Sequence, residues 1–241
     1  MKKIVGIVPS ARLFENEDLY QDQYCFVNNY GLRVARNGGT PIGLLSEDGR
    51  LFEEALELTD SILICGGSRI YPYHFQAVQH AIAHKKPLLG ICLGMQVIHS
   101  YFVVADEAKR RGFEGSLLEL YERMKKERHM FVLPVEHHWD VHMVRGQEEK
   151  AKHPVQLSAE SYLRRQLGTD VIWGATMHNY RINEPSAQLR QTGHTEDGTV
   201  EVIEYADHVI GVQFHPEVDD TLDVLFHFLT KARNEQSAPQ K

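Results

Sequence analysis

Cys92 stands in the run Leu88-Leu-Gly-Ile-Cys92-Leu-Gly-Met-Gln96, where an apolar stretch ends in Gly90-x-Cys92-x-Gly94 and an apolar helical pattern starts at once. The spacing is that of a nucleophile elbow with Cys in place of Ser. A tight strand-to-helix turn holds its central residue in a strained conformation, and the flanking glycines let neighbouring backbone pass without a Cβ clash. The sulfur then lies at a helix N-terminus, where the dipole favours an anion. A nucleophilic thiol also needs a base, and the base needs a carboxylate to orient it. His215-Pro216-Glu217 supplies both directly after the apolar run Val209–Phe214. Pro216 stiffens that turn, so both side chains can be aimed at one place. Acyl transfer further needs two N–H donors for the developing oxyanion. Leu93, the residue after the nucleophile, offers one. Gly66-Gly67, ending the apolar strand Leu58–Cys65, can offer a second, although an ordinary glycine turn reads the same way.

The elements that position these groups alternate between strand and helix. Strands are expected at Ile4–Val8, Thr40–Leu45, Leu58–Cys65, Pro87–Ile91, His153–Leu157, Val171–Ala175 and Val209–Phe214. Gln188–Gly193 and Thr199–Tyr205 flank Asp197-Gly198, a hairpin turn signal. Helices are expected at Tyr20–Asn37, Leu51–Leu56, Tyr73–His84, Leu93–Tyr101, Ser161–Leu167 and Asp219–Arg233. This alternation predicts an α/β fold, a three-layer sandwich around a mostly parallel central sheet. Such a sheet binds ligands beyond the carboxyl ends of its strands, where Gly67, Cys92 and His215 all fall. One domain over residues 1–235 is expected. The charged stretch 106–152 reads as a lid or partner-facing insertion, or as a solvated helix, and 236–241 as a flexible tail.

Composition narrows the function further. The 241 residues carry a formal charge of −7 and no long Lys/Arg block, which argues against nucleic acid. Three cysteines without CxxC spacing suit a reducing compartment rather than a disulfide framework or a zinc site. No apolar run is long enough to span a bilayer, and the N-terminal apolar run is too short for a signal peptide, so a soluble cytoplasmic chain is expected. The densest histidine cluster, Glu136-His-His-Trp-Asp-Val-His142, lacks HExxH spacing, so no metal is expected. The acyl-transfer chemistry needs no cofactor.

Gly-x-Cys-x-Gly followed by His-Pro-Glu resembles the class I glutamine amidotransferase superfamily, whose Cys-His-Glu triad cleaves γ-glutamyl amides through a thioester. The resemblance implies catalytic roles for Cys92, His215 and Glu217, oxyanion roles for Leu93 and Gly67, and a substrate-facing Gln96, for which a helix-surface amide is the other reading. Within that superfamily the chain looks most similar to γ-glutamyl-γ-aminobutyrate hydrolase-type enzymes, on Gly66-Gly-Ser-Arg-Ile-Tyr-Pro72, His153-Pro-Val…Ser161-Tyr-Leu163 and Asp197-Gly-Thr-Val-Glu201. Thr176-Met177-His178 then matches the segment whose backbone helps hold the glutamyl head group. Arg69, Leu93 and His99-Ser100 depart from the hydrolase pattern, and Leu93 is more typical of glutaminase subunits. Three readings stand: a stand-alone γ-glutamyl hydrolase, a glutaminase subunit serving a separate synthetase, and a non-catalytic binding or regulatory protein. The partner is a small γ-glutamyl substrate, with a synthetase under the second reading, and a homodimer is left open.

Overall fold

The computed structural model describes residues 2–13, 19–136, 138 and 143–231. Its centre is a nine-stranded sheet. In chain order the strands are β1 (Ile4–Val8), β2 (Thr40–Gly43), β3 (Ser61–Ile64), β4 (Leu88–Ile91), β5 (Lys152–Leu157), β6 (Val171–Ala175), β7 (Arg190–His194), β8 (Val200–Tyr205) and β9 (Val209–Val212). Their spatial order is β6-β5-β7-β8-β9-β4-β3-β1-β2. Strands β2, β1, β3, β4 and β9 run parallel to one another. From β9 outward to β6, each pairing is antiparallel.

The seven helices among the described residues are α1 (Asn28–Arg36), α2 (Glu53–Leu58), α3 (Pro72–Ala83), α4 (Leu93–Arg111), α5 (Leu117–Lys126), α6 (Tyr162–Leu167) and α7 (Val224–Thr230). They cover both faces of the sheet. Val5, Ile7, Leu63, Leu89 and Ile91 point to one face, packing with Tyr30 and Val34 of α1, Leu163 of α6 and Phe226 and Phe228 of α7. Ile62, Ile64 and Leu88 point to the other, against Leu56 of α2, Ala77 and Val78 of α3 and Met95 and Ile98 of α4. The two-residue alternation of a strand divides these side chains between layers. β3 and β4 are buried along their whole length, as parallel strands between helical layers are. The three-layer α/β expectation therefore holds.

Several boundaries differ from the sequence reading. The helix expected over Tyr20–Asn37 starts at Asn28, because Gln23–Cys25 instead pairs with Ser10–Arg12 as a short antiparallel hairpin. The helix expected at Leu51–Leu56 is displaced to Glu53–Leu58. Asp48 and Gly49, both at positive φ, turn Ser46–Glu47 back onto Arg50–Leu51 and use up the start of that segment. α4 runs on to Arg111, with basic residues in its last turn and Gly112 in the left-handed conformation that ends helices. The closing helix shortens to Val224–Thr230, behind a 3-10 turn at Pro216–Val218. The 236–241 tail and the 235 boundary lie outside the described residues, as do His137, Trp139, Asp140, Val141 and His142 of the histidine cluster. No described helix is long and apolar enough to cross a membrane.

Candidate active site

The elbow has the geometry its sequence implies. Cys92 has φ 52° and ψ −105°, a conformation costly for any residue with a Cβ. It is held there from both sides. The Cys92 N–H donates to Val212 O at 2.8 Å, and its carbonyl accepts from Gln96 N–H at 3.2 Å. The glycines make the turn passable: a Cβ on Gly94 would lie 2.4 Å from the Ile64 carbonyl oxygen, and one on Gly90 would lie 2.5 Å from the Gly94 oxygen. The first N–H groups of α4, starting with Leu93, have no intrahelical acceptor and face the same end as the thiol. That end of a 19-residue helix favours an anion.

His215 follows β9 at the same sheet edge. Its Nδ1 pairs with Glu217 Oε1 at 2.7 Å, and both residues are buried. The carboxylate can only accept, so Nδ1 carries the proton and Nε2 is left for the Cys92 thiol. Burial opposes charge on His215, but Glu217 and the Cys92 sulfur outweigh it and hold the imidazole well above its ordinary titration range. The backbone of His215 is fixed by a 2.8 Å bond from its N–H to Ala175 O, at the end of β6. The sequence-derived trio is thus brought together.

The Gly66-Gly67 loop packs against it. A Cβ on Gly66 would sit 3.0 Å from the His215 Cε1 and 3.4 Å from the Cys92 Cβ, while one on Gly67 would meet Ser10 Cβ at 2.7 Å. Gly66 donates its N–H to the Tyr30 hydroxyl at 3.0 Å. Tyr30, on α1, is a site neighbour that no motif marks in the sequence; its buried hydroxyl anchors the glycine loop.

Gln96 is buried on α4, donates to Gln213 Oε1 at 3.2 Å, and lines a cavity of about 910 Å³ beside the elbow. Gln96 is thus buried at the cavity rather than displayed on the helix surface. Leu93 lines the same cavity, with Arg69, Tyr71 and Tyr73 on one wall and Tyr121 and Lys125 of α5 on another. Arg69 lies over the Tyr71 ring at 5.3 Å, a cation–π arrangement. The contribution of α5 is invisible to motif reading, because its Tyr121 and Lys125 look like an ordinary amphipathic helix.

Thr176, Met177 and His178 lie just past β6. Two of their N–H groups are already committed, Thr176 to Ala151 O at 2.8 Å and His178 to His138 O at 3.2 Å. The His178 ring is buried and turned to Glu201, at 3.2 Å. Cys65 is buried, and burial followed by the Glu217 charge pushes its thiol well above the ordinary range. Cys25 is exposed on the short hairpin.

The family profile described as Glutamine amidotransferase class-I matches residues 36–232. The chain is 30% identical over 196 residues to the CTP synthase of Christiangramia forsetii, covering 76% of this chain and 35% of that protein. It is 28% identical over 196 residues to the CTP synthase of Methanothermobacter thermautotrophicus, covering 72% of this chain and 33% of that one. The chain thus spans about a third of the length of the CTP synthases it matches. In structure it resembles a glutamine amidotransferase from Thermotoga maritima, with a TM-score of 0.57 at 18% identity over 94% of this chain and 80% of that one. A glutamine amidotransferase from Methylobacillus flagellatus aligns with a TM-score of 0.53 at 14% identity over 93% of this chain and 73% of that one. These two likenesses concern the fold. With most of its length matched by the profile and its elbow formed as the motif requires, the chain belongs to the class I glutamine amidotransferase family.

Proposed function

We propose that the chain hydrolyses a γ-glutamyl amide through a thioester on Cys92. The observation that carries this reading is the buried His215–Glu217 pair at 2.7 Å, set beside a cysteine held in the strained elbow conformation. The thiolate attacks the γ-carbonyl carbon, and the carbonyl electrons move onto its oxygen. The Leu93 and Gly67 N–H groups receive that oxyanion; with Gly66 spent on Tyr30, Gly67 is the donor the loop has to offer. The imidazolium of His215 gives its proton to the leaving amine as the C–N bond breaks. Its free Nε2 then takes a proton from water, which attacks the thioester and returns the sulfur as thiolate. Gln96 faces the glutamyl portion. The committed N–H groups of Thr176 and His178 leave the Met177 N–H and the segment's carbonyls for that portion.

Two leaving groups remain to be separated. The cavity beside Leu93 and Gln96 is at the large end of small-molecule sites, which supports a sizeable amine of the γ-glutamyl-γ-aminobutyrate kind. Arg69 and Lys125 on its walls are matched by Asp48 and Glu122, and Lys125 pairs with Glu122 at 3.2 Å, so the lining charge does not choose between an acidic amine and a polyamine. The similarity to CTP synthases favours the second reading, a glutaminase that passes ammonia to a synthetase. Under it, α5 is part of the partner-facing wall. Glutamate release from γ-glutamyl-γ-aminobutyrate, a γ-glutamyl polyamine and glutamine by the purified chain separates them. Turnover of γ-glutamyl-γ-aminobutyrate at least about ten-fold faster than glutamine supports the hydrolase. Turnover of glutamine alone, or only with a synthetase present, moves the assignment to the glutaminase.

A further inference from the structure

At the same sheet edge as His215, four side chains from separate segments converge: His138, His153 at the start of β5, His178 after β6, and Glu201 at the start of β8. One potential ligand atom from each lies within 4.8 Å of all the others. Glu201 is fully buried, His138 and His178 nearly so.

The outer nitrogens determine what faces inward. His178 Nδ1 lies 3.0 Å from the Tyr180 carbonyl oxygen, which can only accept, so Nδ1 carries the proton and Nε2 presents a lone pair. His138 Nε2 lies 3.2 Å from Asp197 Oδ2, so its proton also points outward and Nδ1 presents a lone pair. These two inward nitrogens are 3.1 Å apart. In neutral rings that contact sets lone pair against lone pair, and a cation between them removes the repulsion. The carbonyl behind His178 and the carboxylate behind His138 are also the usual second shell of a metal-bound histidine.

The carboxylate points the same way. Glu201 Oε1 lies 3.2 Å from His178 Nε2 and 3.6 Å from His138 Nδ1, and Oε2 lies 3.5 Å from His153 Nε2. Yet neither oxygen of Glu201, nor His153 Nε2, makes an aligned hydrogen bond. Buried polar atoms left so are costly. Donors crowded together without aiming at one another suit a common centre. Ligands about 2.0–2.1 Å from a tetrahedral zinc are about 3.3–3.4 Å apart, close to the 3.1, 3.2 and 3.6 Å spacings among His138 Nδ1, His178 Nε2 and Glu201 Oε1; the wider spacings of the set, up to 4.8 Å, close by small side-chain shifts on binding. One proton could relieve one pair of these groups, but not four.

We propose that His138, His153, His178 and Glu201 bind one divalent transition-metal ion, with zinc the best match to three imidazoles and a carboxylate. Four protein ligands make it a closed, structural site. It lies next to the catalytic histidine: Glu201 O accepts from the Gln213 N–H, and Ala175 O, three residues before His178, accepts from the His215 N–H. The ion ties the segment at His138 and the loop after β6 to the strand edge against which His215 is set. No local spacing could show this, since the donors are spread from residue 138 to residue 201.

Metal analysis of the full chain tests the proposal. The purified protein is expected to hold about one zinc per chain, to lose it to a strong chelator with a fall in melting temperature, and to regain it on titration with zinc sulfate. Cobalt(II) in its place should give the visible absorption of a tetrahedral ion. Glu201→Gln and His178→Ala should abolish stoichiometric binding. Asp197 is half exposed and lies behind the ligands, so Asp197→Asn should fold normally and weaken zinc affinity by about 10–100-fold. A folded wild-type chain that takes up neither zinc nor cobalt overturns the site and leaves a proton-sharing network. So does an Asp197→Asn chain that binds as tightly as the wild type.

Discussion

The parallel and antiparallel halves of the sheet each bury a carboxylate against imidazole at the same edge, and they use it differently. At the parallel half, Glu217 takes one nitrogen of His215 and leaves the other to a single neighbour, the Cys92 thiol. At the antiparallel half, Glu201 lies among three imidazoles, two of which have their protons drawn outward by Tyr180 and Asp197. One outward partner on one histidine makes a base with a direction. Outward partners on facing histidines make a convergent set of lone pairs. The same residue types thus suit a proton carrier in one place and a cation cage in the other, according to which nitrogen is tied back.

If the halves do separate work, removing the thiol should abolish turnover and leave the other cluster intact. Cys92→Ala and His215→Ala are expected to lower glutamate release by at least about a thousand-fold, while melting temperature and zinc content stay near wild type. Glu217→Gln should be less severe, by about ten- to a hundred-fold, because it orients the base rather than reacting. Steady-state rates for the three variants decide the ranking. A Glu217→Gln chain as inactive as Cys92→Ala breaks it. A Cys92→Ala chain that also loses its metal breaks the separation.

The halves also differ in how tightly backbone meets backbone. A methyl group on Gly94 would meet the Ile64 carbonyl oxygen at 2.4 Å, main chain in a buried parallel strand that cannot yield. On Gly174 of β6 it would meet Phe214 Cγ at 2.6 Å, a side chain with some freedom to move. Gly94→Ala is expected to cost about 3 kcal/mol and Gly174→Ala about 1–2 kcal/mol in denaturant unfolding. Because Phe214 precedes His215, Gly174→Ala should lower kcat more than its stability loss suggests. Equal costs, or an unchanged kcat in Gly174→Ala, would contradict this difference between the two contacts.

This contrast also explains what the sequence makes legible. The candidate catalytic site is written in short runs: an elbow within nine residues and a His-Pro-Glu within three. Turn chemistry fixes where those side chains go once the strands before them are recognised. The second cluster depends on β5, β6 and β8 being in register, and no local pattern carries strand register. Glu136–His142 can be seen as histidine-rich, but its partners at 153, 178 and 201 cannot be chosen from it. The misplaced helix start fails for the same reason. Gln23–Cys25 has helical periodicity, and only its pairing with Ser10–Arg12 makes it a strand. The longer α4 was within reach: Phe102 and Val104 continue its buried face, and Lys109-Arg-Arg111 before Gly112 is an ending signal.

The smallest expected effect is a shift in titration, and it tests whether Cys92 and His215 act as one unit. Burial pulls His215 towards the neutral form, and Glu217 and the Cys92 sulfur pull it further the other way. A folded value raised above the unfolded one contributes stability that is fully present below about pH 6.5 and is lost as pH rises through the folded value. Cys92→Ala removes one of the two raising charges and leaves the burial. Its His215 should therefore titrate lower than in the wild type, and the variant should lose less stability on the alkaline side. Nitrogen-15 NMR of labelled histidines reads the first, and urea melts across the alkaline range read the second. At neutral pH the wild-type ring is expected to carry both protons, with the Nδ1 proton shifted downfield by Glu217. If His215 titrates at the same pH with and without the thiol, the sulfur is not its partner. Glu217 alone would then set its charge, and the parallel-half site would be reduced to an orienting pair beside a cysteine it does not activate.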